Sequence, residues 1–145
     1  MVEYLKKHYD QPILRQDARV YGEACLKYRP DVMYAGPNRV VMVECDEHQH
    51  KWSNGNYECD ERRISELYDE FPGKEFLVIR WNPDAFKLKS GKKAKKNFKR
   101  RCEALLKVLR EYETIKMESK IQCVYMFYDH DNERLAKNIP YKLIQ

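Results

Sequence analysis

Apolar positions along the chain fall into two spacings. Short alternating or continuous apolar runs at residues 31–34, 40–45, 75–81 (EFLVIRW) and 121–128 (IQCVYMFY) predict β-strands. The third run is apolar almost throughout, which predicts burial on both sheet faces. Helical spacing appears twice. Ile64, Leu67, Tyr68 and Phe71 make one face of a helix over 58–71, stopped by Pro72-Gly73. Phe98, Cys102, Leu105, Leu106, Leu109 and Tyr112 make the stripe of a longer helix over 92–112. Residues 1–9 predict a short helix burying Val2 and Leu5, and 13–20 an irregular strand. Residues 51–57 (KWSNGNY) have loop composition. The tail from 129 onward shows no periodicity, and Asp129, His130 and Asp131 read as a turn.

The first two strands flank Gly-Pro-Asn at 36–38, the signature of a hairpin turn. A turn centred between Pro37 and Asn38 sets Tyr34 opposite Val41, Val32 opposite Val43, and Asp31 opposite Glu44. Side chains alternate along a strand, so Asp31, Glu44 and Asp46 share one face while Val32, Val41, Val43 and Cys45 point into a core. Hairpin, helix, strand, long helix, strand is the element order of an α/β fold, a mixed sheet with helices packed on it.

Length and composition bound the function. The 145 residues suit one domain with a core of its own. A hydrophobic share of 43% beside a charged share of 35% is globular rather than disordered. No apolar run reaches the roughly 20 residues of a bilayer span, and MVEYLKKHYD lacks a signal peptide's apolar stretch, so an intracellular protein without a membrane partner is expected. Five cysteines without a C-x-x-C pair point to reduced thiols, in keeping with a cytoplasmic or nuclear setting. The net charge is +5, and residues 87–101 (KLKSGKKAKKNFKRR), with nine basic residues and no acid, supply the excess. Lys92, Lys93, Lys95, Lys96, Lys99 and Arg100 are therefore candidates to track nucleic-acid phosphates, against plain solubility as the bland alternative.

Three acids converging at one end of a hairpin repel one another unless a cation sits among them. Asp31, Glu44 and Asp46 are thus candidate ligands of a divalent metal, Mg²⁺ or Mn²⁺. Glu23, just upstream, is a candidate to join them, with an ordinary surface glutamate as the alternative. Arg80, at the end of the third strand, either balances charge or holds a phosphate at this cluster, or makes a structural ion pair with Glu44 or Asp46. Arg62, Arg63 and Glu66 lie on a mostly solvated helix face, with a phosphate contact by Arg62 or Arg63 as the functional alternative. His48, His50 and Cys59 are ligand types that zinc accepts, but the spacing matches no established zinc pattern and supplies no fourth ligand.

Arg29-Pro30-Asp31, the run from Val43 through His50 (VECDEHQH) and Ile79-Arg80-Trp81-Asn82-Pro83-Asp84, taken together and in that order, resemble the PD-(D/E)xK nuclease superfamily. More narrowly they are similar to the restriction-endonuclease-like proteins of giant DNA viruses and some eukaryotic genomes, and to the very-short-patch repair endonuclease group. The match runs from Arg29 to about Phe86 and leaves the remainder of the chain unmatched. It implies a restriction-endonuclease-like core, a central mixed sheet flanked by helices, and divalent-metal-dependent endonuclease cleavage of DNA. Asp31 and Glu44 match the metal-binding acids. Asp46 stands where the wider superfamily usually has lysine, a residue that the repair-endonuclease-like branch also lacks, so the proton-transfer role must pass to another group. His50 is the first candidate, since an imidazole with a pKa of about 6.5 suits proton transfer near neutrality; Lys51 and Arg80 are the reserves. Many nucleases of this kind pair up to cut two strands, so a homodimer is compatible with the resemblance. Branched, mismatched and single-stranded DNA all present suitable phosphates. The rival expectation is a nucleic-acid-binding module of the same fold that has lost catalysis.

Overall fold

A computed structural model describes residues 1–16, 29–47, 57–129 and 134–138. The hairpin forms as the turn chemistry predicts. β2 (Val32–Ala35) and β3 (Arg39–Cys45) pair antiparallel with Tyr34 opposite Val41 and Val32 opposite Val43. Gly36 N–H donates to the Arg39 carbonyl at 2.8 Å and closes the turn. β1 (Ile13–Arg15) adds to the outer side of β2 with an irregular register. This is the described part of the segment expected at 13–20; residues 17–20 lie outside the described residues.

After the hairpin comes α2 (Tyr57–Asp69), following α1 (Val2–His8) at the start of the chain. α2 buries Ile64, Leu67 and Tyr68 of the predicted stripe but ends at Asp69, so that Phe71, expected on the same helix, lies just past it and is half-buried. Arg62 on its outer face pairs with Glu66 at 3.0 Å. Gly73, at φ +81°, takes the left-handed conformation that reverses the chain into β4 (Glu75–Trp81). β4 lies parallel between β3 and β5 (Ile121–Met126), and the α3 helix (Phe98–Glu111) makes the second crossover. β6 (Arg134–Asn138) pairs antiparallel with β5 and completes a six-stranded mixed sheet in the order β1 to β6. The predicted burial of β4 on both faces holds, as every residue from Phe76 to Trp81 is buried.

Alternation along the strands sorts the core into two layers. Val32, Tyr34, Val41, Val43, Leu77, Ile79, Trp81, Val124 and Met126 face α1 and α3. Met33, Val40, Met42, Phe76, Val78, Ile121 and Cys123 face α2. The result is an α/β architecture with a mixed sheet flanked by helices. Among the described residues no helix is long and apolar enough to cross a membrane.

Two expectations need correction. The long helix does not start near residue 92. Its N-cap is Asn97, whose side chain accepts from Arg100 N–H at 3.0 Å. The residues before it form a small hairpin-like loop, with Leu88 N–H on the Lys92 carbonyl and Ala94 N–H on the Phe86 carbonyl, both at 2.8 Å. Two effects place the boundary there: a run of lysines opposes the positive end of a helix dipole, and asparagine is a better cap than lysine. The apparently patternless tail also contains a strand, β6.

Candidate active site

β3, β4 and β5 run parallel, so their carboxyl ends meet at one edge of the sheet. Glu44, Arg80 and Tyr125 stand side by side there in register, on the face toward α2. Antiparallel β2 begins at the same edge, and Asp31 directly precedes it, one step beyond the Val32–Val43 pair. An Asp31 carboxylate oxygen accepts from Cys45 N–H at 2.6 Å and so clamps the open end of the hairpin. The sequence-predicted neighbourhood of Asp31 and the end of β3 is therefore present.

Asp46 plays a different part. Its N–H continues the ladder to the Trp81 carbonyl at 2.9 Å, and its carboxylate lies 3.2 Å from Arg80 Nη1. The Tyr128 hydroxyl donates to the same carboxylate oxygen. Asp46 is 2% exposed and Arg80 7%, so this is a buried ion pair with a phenol bound to its acid. The structural-pair alternative for Arg80 is the arrangement observed. Among the described residues no three His, Cys, Asp or Glu side chains gather as a metal-holding group. Asp46, expected as a third ligand beside Asp31 and Glu44, is engaged here by Arg80 and Tyr128.

Burial sets the proton inventory. It pushes the Tyr128 hydroxyl pKa well above its ordinary value, reinforced by the Asp46 charge, so Tyr128 keeps its proton and acts as a donor. Burial likewise raises the Cys45 thiol to about 12, helped by Asp31, and Cys123, beside Arg80, to about 11. Both thiols are protonated and poorly nucleophilic near neutrality. For Cys123 the folded pKa lies above the ordinary thiol value of 9.0, so its contribution is fully present below about pH 9 and is lost as pH rises toward 11. Because Cys123 is fully buried, it adds a slope of about 1.4 kcal/mol per pH unit over that window. Urea midpoints should therefore fall from pH 9 to 11, and fall less in Cys123→Ala; an equal fall in both proteins would refute the assignment.

The Asn82-Pro83-Asp84 stretch supplies a second network, behind the first. The Asn82 side chain accepts from Asp84 N–H at 2.8 Å and donates to the Phe127 carbonyl at 2.7 Å. Phe127 sits at φ +66°, a left-handed conformation unusual for a phenylalanine. Arg101, 3% exposed, donates to the carbonyls of Asn82 at 2.9 Å and Asp84 at 2.5 Å. Its guanidinium lies over the rings of Phe86 and Phe127, at 5.3 and 5.0 Å from their centroids. Although Arg101 ends the basic run, it is a structural cation. Periodicity carried that signal, since Phe98, Arg101, Cys102 and Leu105 follow i, i+3, i+4, i+7 and put Arg101 on the buried stripe. Tyr128 left no comparable mark in the sequence.

Lys92, Lys93, Lys95, Lys96, Lys99 and Arg100 are all exposed, and Lys96 pairs with Asp84 at 2.9 Å. Glu23, His48, His50 and Lys51 lie outside the described residues, as does the side chain of Cys59, so the zinc alternative falls there too. Comparison with protein-family models, curated proteins and solved structures finds no match.

Proposed function

We propose that this chain is a divalent-metal-dependent DNA endonuclease with a restriction-endonuclease-like core, in which Asp31 and Glu44 hold the metal. The observation that carries this reading is the meeting of Asp31 with the end of β3, at the edge where the parallel strands deliver Glu44 and Arg80. Asp31 and Glu44 lie at that corner beside the Arg80–Asp46 ion pair. The donor chemistry fits Mg²⁺ or Mn²⁺, because hard cations take oxygen ligands and Mg²⁺ is commonly held by one or two carboxylates plus water. A bound metal would lower the pKa of water and screen the charge of the scissile phosphate.

The chain's own groups have separate tasks. Asp31 braces the hairpin through Cys45 N–H while offering carboxylate oxygen to the metal. Arg80 and Tyr128 fix Asp46, so that Asp46 shapes the corner as a positioning residue. His50 accepts the proton of the attacking water, and the exposed lysines before α3 attract the DNA backbone.

The test is incubation of the purified protein with supercoiled plasmid and Mg²⁺ or Mn²⁺. Cleavage is expected, with a loss of at least about 10²-fold in Asp31→Ala and in Glu44→Ala, since metal coordination supplies several kcal/mol of transition-state stabilisation. Cleavage that survives both substitutions removes the site. One observation favours a second reading, a binding module without catalysis: the position that usually carries lysine is an aspartate held by Arg80 and Tyr128. DNA binding without cleavage under any divalent ion is its expected result.

A further inference from the structure

One apolar residue of the α3 stripe is not in the core. Phe98, the first residue of the helix, is 53% exposed, while Cys102, Leu105, Leu106, Leu109 and Tyr112 below it are buried. Its ring is held in place by Trp81, with centroids 5.5 Å apart and planes at 87°, and Trp81 is itself anchored through Nε1–H to the Arg101 carbonyl. In the same stretch of chain, eight exposed lysine or arginine side chains lie from Lys87 to Arg100, and no acid occurs between Ala85 and Cys102. The loop that carries them is pinned, by Lys87 N–H on Asp129 at 2.7 Å and by the backbone bonds between Phe86 and Ala94.

Each half of this patch is unfavourable alone. Aromatic area left in water is unfavourable, and clustered like charges repel. A partner that relieves both must bring closely spaced anions and a flat apolar face together. Double-stranded nucleic acid brings the anions but keeps its base faces stacked; an unpaired strand offers both.

We infer that Phe98 and the basic loop form a binding platform for single-stranded or locally unpaired nucleic acid, with one base stacked on Phe98 and phosphates on either side bound by lysines such as Lys95 and Lys99. This inference rests on the reading of the protein as DNA-acting and names the form of strand it engages. Binding does not need Asp31 or Glu44.

The experiment is fluorescence anisotropy of the full chain in chelator, titrated into a labelled oligothymidine, an all-abasic strand of equal length, and a duplex. The wild type should prefer oligothymidine over the abasic strand. Phe98→Ala should weaken oligothymidine binding about 5- to 150-fold, the range that one stacked base supplies, with duplex and abasic binding unchanged. Phe98→Tyr should retain binding. Lys95→Gln should instead reduce the salt slope by about 0.7 with the preference for bases kept. Melting curves confirm that each variant folds. Equal wild-type affinity for oligothymidine and abasic strand, no effect of Phe98→Ala, or binding only to anionic phosphatidylserine vesicles each overturns the proposal. Plasmid cleavage by the wild type, measured beside the anisotropy, separates the two readings: if the nuclease assignment fails while the stacking holds, no cleavage is seen and the oligothymidine preference remains.

Discussion

Replacing Arg80 by methionine lowers stability by about 3–5 kcal/mol, because it leaves the Asp46 carboxylate buried with only part of its compensation. Asp46 is 2% exposed, and Arg80 Nη1 lies 3.2 Å from it, so water has little access to take over the role of the guanidinium. Tyr128 still donates to the same oxygen, but one phenol hydrogen bond does not neutralise a charge. The double variant Arg80→Met/Asp46→Asn removes both charges and should recover more than half of the loss. Urea denaturation followed by circular dichroism measures all three proteins, and a loss below about 1 kcal/mol in the single variant would show that Asp46 is solvated after all. A stable double variant also frees the functional test from the fold. If it binds DNA but does not cleave, the Arg80–Asp46 pair matters to the chemistry rather than to folding.

A comparable loss, again about 3–5 kcal/mol, is expected for Arg101→Met. Two carbonyls that now share one Nη1 lose their donor, and the cation leaves the space between two aromatic rings. Lysine should recover only a minority of this stability, since an ammonium is a compact, strongly hydrated charge and lacks the delocalised guanidinium that lies over Phe86 and Phe127 while one Nη1 serves Asn82 and Asp84. The effect should also spread to function. Arg101 holds the turn after β4 against the start of α3, and the basic loop is strung between those two points. Trypsin should therefore cut residues 87–96 faster in Arg101→Met than in the wild type, under conditions where both remain folded. Unchanged cleavage in that loop would separate the Arg101 network from the position of the basic face.

Several features of this molecule were legible from spacing alone. The β2–β3 register follows from one Gly-Pro-Asn turn, because a slip of one residue would exchange the residues packed against α1 and α3 for those packed against α2. The α2 and α3 stripes and the double burial of β4 follow from apolar periodicity in the same way. β6 was hidden because an edge strand pairs on one side only, and RLAKN needs no apolar alternation to do so. The start of α3 was hidden because helical spacing takes no account of a cap, and lysine has good helix propensity wherever the macrodipole does not oppose it. The chemistry at Asp46 was legible in part. Alternation placed it beside Glu44 on the correct face, but its partners Arg80 and Tyr128 come from other strands and loops, and sequence spacing holds no information about which of two neighbouring acids an arginine will choose.

The parallel centre of the sheet has a kinetic meaning as well. β2 finds β3 across a short turn, whereas the Arg39–Glu75 contact that starts the β3–β4 pairing spans 36 positions, with α2 in between. Loop-closure entropy is lost before such distant contacts give any return, so the hairpin bearing Asp31 and Glu44 assembles early and β4, with Arg80, arrives later. During that interval the acidic corner has no guanidinium, and the mutual repulsion of its carboxylates weakens the hairpin until Arg80 arrives, unless cations from solution shield it.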